Sequence, residues 1–283
     1  MGLVMHQRIT PAITILLLIS IGFACSLQRP KGPEVWHLML EIDAAVPDRE
    51  AATQRTVNVI EARLDALGVP NPKVVAQGTP PNGRILVSLP NVTDRHRLMV
   101  LITAQGLLEL TAVVSPPSPA PVQTYNTRED AITSLGGTVA ANRRVLPYVE
   151  ANETGTSQQS SEASGRPNKW VVVESPAIVD GSDLRNAVAI PSRAGAEDYQ
   201  IAFSLKTEGA EKFGAWTAKH INDYLGVVLN GEVKSIAFIK SPISDQGEIS
   251  GRFTKQSAED LALILRSGAL PAPLKIIEED TNK

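Results

Sequence analysis

The chain has a single cysteine, Cys25, so it can form no disulfide within itself and no cysteine-based zinc cluster. Aromatic residues make up only 4%, which weakens any reading built on the stacking of bases or sugars. Basic charge is not in excess. With 27 Lys and Arg against 30 Asp and Glu the formal net charge is −3, whereas a dedicated nucleic-acid binder needs a basic surface for phosphates. The four histidines, His6, His37, His96 and His220, stand apart in sequence, and no His-x-x-x-His or His-Glu pair offers metal-ligand spacing. No Gly-rich phosphate loop, nucleophile elbow or kinase signature appears, and Ser182 and Ser250 have no context that recommends them as nucleophiles. These absences leave no catalytic residue, metal ligand or cofactor to name. The expectation is a protein that is not an enzyme.

One apolar run is long. "MGLVMHQRITPAITILLLISIGFACSLQRPKG" carries Arg8, an apolar stretch over residues 12–23, then small residues and Cys25, the layout of a secretory signal. A sole cysteine at the end of such a run suits a lipoprotein, cut before Cys25 and acylated on it. Gly22 and Phe23 depart from the leucine and small residue that such sites carry. The alternative is an uncleaved anchor over residues 9–27, close to the ~20 residues that a bilayer span needs. Residues 1–27 are thus a signal peptide or a membrane anchor. Both readings put the body on the periplasmic side of the cell envelope.

Beyond that run the pattern is α+β. "VWHLMLEID" alternates as a strand. Asp48 opens a helix in which Val57, Ile60, Leu64 and Leu67 recur at helical spacing, closed by Gly68 and Pro70. "PKVVAQG" and "RILVSLP" read as strands around "TPPNG". Thr93 or Asp94 caps a helix carrying Leu98, Leu101 and Ile102, and "LLELTAVV" is a further strand. The order βαββαβ predicts a ferredoxin-like base over residues 33–114. Proline-rich "SPPSPAPVQ" and polar "EANETGTSQQSSEASGRPN" predict a connection and mobile loop over residues 115–168, with a short helix in "REDAITSLGG".

A second α+β body is expected over residues 169–272. It has strands "WVVVES" and "YQIAFSLK", then a helix over 207–224 with Phe213, Thr217 and Ile221 inward. "GVVLNGEVKSIAFI" is a hairpin turning on Asn230-Gly231, and "EISGRF" a strand. Thr254 caps a helix that turns Ala258, Leu261, Ala262 and Leu265 to one face. Gly268, Pro271 and Pro273 end it, and "LKII" returns to the first sheet over residues 273–279. The run "EED" reads as a solvated terminus.

"IEARLDALGVPNPKV" with "RILVSLPNV", and the long stretch from "EGAEKFGAWTAKHINDYLGVVLNGEVKSIAFI" to "SGALPAPLKIIEE", resemble the SecD family, a membrane subunit of bacterial protein export. The likeness is to its first extracytoplasmic domain, a base and a head subdomain. "RPKGPEVWHL" departs from the Asp-Leu-Gln-Gly-Gly-like stretch of the family. Family members continue into proton-conducting membrane helices, whereas this sequence stops at Lys283, so the resemblance implies no proton path of its own. It does imply a module that holds an unfolded or emerging secretory polypeptide. Its partners would be SecF/SecYEG-like translocase components and the membrane, with no nucleic acid. Large side chains near element ends of the head, Phe203, Trp216, Phe238, Ile239 and Phe253, are the candidate client contacts. Two alternatives stay open: an envelope lipoprotein that docks onto another complex, or one piece of a split SecD.

The lipoprotein reading has a direct check. If Cys25 is acylated, Cys25→Ser should leave an uncut precursor that takes up no labelled fatty acid. Equal size and equal labelling of variant and parent would leave the retained helix as the anchor.

Overall fold

Alternation in "VWHLMLEI" puts Trp36, Leu38, Leu40 and Ile42 on one side of the first strand, and that side is fully buried. The computed structural model describes residues 34–43, 45–78, 82–148, 169–192 and 198–282. Cys25, the signal or anchor segment and the polar loop at 150–168 lie outside the described residues. Strand β1 (Val35–Ile42) leads to α1 (Arg49–Ala66), where the Asp48 carboxylate accepts the Ala51 N–H at 3.1 Å. Then follow β2 (Lys73–Ala76), β3 (Arg84–Pro90) and α2 (Arg95–Thr103). Of the two candidate caps, Asp94 does the work, accepting the Arg97 N–H at 3.0 Å. Ala52, Ile60 and Leu64 of α1 meet the buried side of the strands, with Ile85, Val87 and Leu89 from β3.

The rest of the chain runs β4 (Leu108–Val113), α3 (Arg128–Ser134), β5 (Arg143–Tyr148), β6 (Lys169–Glu174) and β7 (Val179–Asp180). It continues with β8 (Leu184–Pro191), β9 (Tyr199–Leu205), α4 (Thr207–Lys219), β10 (Tyr224–Leu229) and β11 (Glu232–Phe238). Last come β12 (Gln246–Phe253), α5 (Lys255–Ser267) and β13 (Leu274–Asn282).

The base sheet has the order β13-β1-β3-β2, all antiparallel, which is the ferredoxin-like order. Its fourth strand is β13 and not β4, a correction to the sequence reading. "LLELTAVV" is a strand, but it pairs with β10 along its whole length and belongs to the second sheet. Two leucines on one side of β4 and Val113 on the other serve two separate clusters of the head, a demand that alternation cannot assign to a sheet. β13 is also longer than "LKII": it runs through the acidic residues, and Glu279 accepts the Trp36 indole N–H at 2.9 Å.

In the head, β10, β11, β5, β6 and β4 pair in turn and β4 closes back onto β10. Val113, Val171, Val173, Val228 and Val233 form a cluster drawn from four of these strands, with Leu146 and Tyr148 from the fifth, so they fill the inside of the ring. β5 and β8 were not legible as strands. The first lies within the expected connection, and the second alternates only weakly. Outside the ring, the sheet β12-β9-β8, α4 and α5 enclose the largest cluster, including Leu110, Ile201, Phe213, Leu225 and Ile249. The predicted face of α5, Ala258, Leu261, Ala262 and Leu265, lies in it. α4 ends at Lys219, five residues earlier than the periodicity suggests, and Ile221 is therefore exposed rather than inward.

The hairpin β10–β11 turns on Asn230 (φ 51) and Gly231 (φ 80), the two positive φ values a type I′ turn requires. Its tip is anchored. The Asn230 N–H donates to the Leu107 carbonyl at 2.8 Å, and Asn230 Oδ1 accepts the Leu107 N–H at 2.9 Å. Asn230→Ala loses the side-chain bond and strains a left-handed backbone, and should cost about 1–2 kcal/mol in urea unfolding. Asn230→Gly should cost less, since glycine tolerates the φ. A loss for glycine as large as for alanine would mean that the turn conformation is not what Asn230 supplies.

Candidate functional site

The five side chains expected to meet a client fall into two groups. Phe203 and Ile239 are core: they are 5% and 0% exposed. Phe203 faces Gly247 across the β9–β12 pair, where a Cβ would come within 2.4 Å of its ring, so the glycine exists to let the ring lie flat. The Ile239 backbone closes the start of the hairpin, donating to the Asp223 carbonyl and accepting from Asn222. Neither can reach a partner without unfolding. Phe253 is half-buried and leans on the main head cluster.

Trp216 and Phe238 are half-buried too, but in different places: Trp216 packs on the main head cluster, and Phe238 lies beside Tyr224 at the open end of the hairpin. The Trp216 ring is half-buried and stacks on His220 at 3.9 Å between centroids and 8° between planes. His220 is the C-cap of α4, and its Nδ1 donates to the Trp216 carbonyl at 2.7 Å. Stacking and hydrogen bond together fix the imidazole as part of a flat platform. Next in the chain, Ile221 is 37% exposed. Tyr224 and Phe238, paired across the hairpin, lie 6.0 Å apart, and Tyr224 packs on the valine cluster inside the ring. Sequence spacing could have suggested Trp216 and His220, one helical turn apart. Among the described residues no group of His, Asp or Glu is arranged to hold a metal ion.

A second feature controls how that surface is carried. The chain passes between base and head twice, at residues 104–107 and 268–273, and the guanidinium of Arg63 sits between the two crossings with no exposure. From α1 it donates through Nη1 to the carbonyls of Leu101 (2.9 Å), Ile102 (3.3 Å) and Ala104 (2.6 Å) at the end of α2. Through Nη2 it donates to Gly268 O at 3.0 Å, and through Nε to Ser267 Oγ at 3.2 Å, at the end of α5. Among the described residues no carboxylate pairs with it. The partners are the free carbonyls of two helix C-termini, which carry partial negative charge. Desolvation pushes the guanidinium down to about 10, still charged at neutral pH. The Leu270 N–H closes the crossing on Gln105 O at 2.8 Å. On the surface, Arg97 of α2 grips Asp260 of α5 at 2.6 Å, and that hydrogen bond raises the Arg97 pKa above its usual value.

Comparison with known proteins covers most of the chain. Residues 53–115 match the family model of the N-terminal P1 domain of the protein translocase subunit SecDF, and residues 156–272 that of the SecDF P1 head subdomain. The chain is 36% identical over 251 residues to the protein translocase subunit SecD of Koribacter versatilis, covering 88% of this chain and 43% of that protein. For SecD of Aquifex aeolicus the identity is 35%, covering 82% and 40% respectively. The chain thus spans about two fifths of these relatives. A solved structure from work on SecDF as a membrane component that enhances protein export has TM-score 0.61 and 28% identity, over 86% of this chain and 98% of that one. SecDF in its super-membrane-facing form gives TM-score 0.64 and 27% identity, over 87% of this chain and 30% of that one.

Removing the buried cation should be costly. Arg63→Met leaves the carbonyls at two helix ends without donors and should lose on the order of 3–5 kcal/mol. Arg63→Lys keeps the charge but cannot span both ends, so its loss should be smaller. Hydrogen exchange should rise first at residues 101–108 and 266–272. An Arg63→Met protein as stable as the parent would show that the carbonyls find other partners.

Proposed function

The chain belongs to the SecD family through its P1 region, and from that premise we propose that it is a non-enzymatic, extracytoplasmic domain that holds unfolded polypeptide during protein export. The observation that supports this reading best is the apolar surface at the end of α4. There the stacked Trp216–His220 pair is half-buried and the adjacent Ile221 is exposed. Such a surface takes hold of apolar side chains without demanding one sequence, as a module handling many clients requires. The base, pinned to the head through Arg63, would carry that surface at a fixed place near the membrane, with residues 1–27 as signal or anchor. SecF/SecYEG-like components of the translocase are the partners this placement would serve.

Apolar contact is weakly sensitive to salt, while a charge-driven site fades as the screening length shrinks. The chain should therefore bind a reduced, carboxymethylated polypeptide that cannot fold in preference to its native form, with little change between low and high salt. Ile221→Ser should weaken that binding roughly three- to tenfold. Val188→Ser, on the outer face of the sheet β12-β9-β8 and 39% exposed, should leave it unchanged. Equal indifference to both forms, with tight capture of one folded envelope protein, would favour docking over client holding.

A further inference from the structure

The two helices of the base lie on one side of its sheet. α1 and α2 meet the buried residues Trp36, Leu38, Leu40 and Ile42, so the alternate residues of β1, Met39 and Glu41 among them, face the other way. Residues directly opposite in an antiparallel pair share a face. The register therefore lays an apolar row across that open side, Met39 on β1, Leu86 on β3 and Val75 on β2, with Val75 51% exposed. Charged rows flank it. On one side Asp280 of β13 and Lys73 of β2 end a row that runs through His37 and Ser88, and on the other Glu41 stands beside Arg84.

Lys73 and Asp280 are exposed and stand three strands apart, about 14 Å. They cannot meet within one chain, and among the described residues neither forms an ion pair. We propose that this face joins two copies of the chain in a weak two-fold dimer. Turning the second copy by half a turn, about an axis parallel to the strands and between β1 and β3, stacks β2 on the partner's β13 and β3 on its β1. Lys73 then faces the partner's Asp280, and Met39 closes on the partner's Leu86, each twice by symmetry. Arg84, already 3.4 Å from Glu41 of its own chain, gains the partner's Glu41 as well. The charge pattern selects the occupant: a face whose own cations fall opposite its own anions fits a second copy of itself. Aligned stacking of two sheets is a common packing mode. Four strands and three rows cover about 400 Å² per copy. That is half the ~800 Å² that a standard interface buries per partner, so the dimer forms reversibly and only as concentration rises. None of the residues at the end of α4 takes part, so self-association and client holding are separate properties.

Sedimentation of the purified full chain in detergent tests this. The parent should pass reversibly from monomer to dimer as its concentration rises. Lys73→Asp and Asp280→Lys each turn both pairs into like charges and should weaken association about fivefold or more. The double exchange, Lys73→Asp with Asp280→Lys, restores opposite charges across the axis and should recover most of that loss. Within one chain it can restore nothing, because the two sites are too far apart. Val75→Asp, which sets a carboxylate in the apolar row, should weaken association too. A parent that stays monomeric at every concentration overturns the proposal and leaves the face to a different partner. A double exchange that associates no better than either single one overturns it as well. So does association indifferent to all these changes, as it would be if residues 1–27 drove it.

Discussion

The buried guanidinium of Arg63, which among the described residues has no carboxylate beside it, organises this domain. A charge taken out of water costs several kcal/mol unless it is fully hydrogen-bonded. Arg63 meets that demand with the carbonyls of two helix ends and one hydroxyl. The solution is reciprocal, because helix C-termini also need donors for carbonyls that lie beyond reach of the helix ladder. The ends of α2 and α5 therefore come together around α1, and both passages between base and head are held at that point. α5 feels this constraint along its length. One face serves the head core, while Leu263 and Ile264 are also buried and Ile264 packs at Gly106 on the crossing.

Strand edges show a second economy. In the head, a ring of strands leaves little unpaired backbone. Along β8 the edge is blunted chemically: the Ala187 N–H goes to Asn186 Oδ1 and its carbonyl to the Arg266 guanidinium, both on the side away from β9. In the base, β13 forms an edge rich in acidic residues. Charges and side-chain caps of this sort are how proteins keep strands from pairing with strangers.

Much of the local structure was legible in the sequence. Thr254 caps α5, accepting the Ser257 N–H at 3.1 Å, and Asn230-Gly231 turns the hairpin. The inward face of α5 and the alternation of β1 also follow from the residues alone. Of the candidate contacts, Trp216 and Phe238 are half-buried, while Ile239 and Phe203 are core, because closeness to the end of a strand does not say whether another layer lies above it. β5 escaped notice since its partners, β6 and β11, lie far along the chain, and residues 115–123 read as an extended connection because proline content reports neither the turn that Ala120 N–H closes on Pro117 O at 3.2 Å nor the attachment of Ser118 N–H to Asn222 O at 2.8 Å.

By itself, then, the sequence determined caps, turns, periodic faces and the family likeness, all of which depend on residues within a few positions of one another. Tertiary structure alone decided which strand fills the last place in the base sheet. β4 and β13 both carry a strand pattern, and the choice depends on partners such as Trp36 and Glu279, 243 positions apart. It also decided that Arg63, an ordinary helix residue in sequence, would be buried. The carbonyls that make its burial tolerable belong to helix ends that exist only once the chain has folded around it.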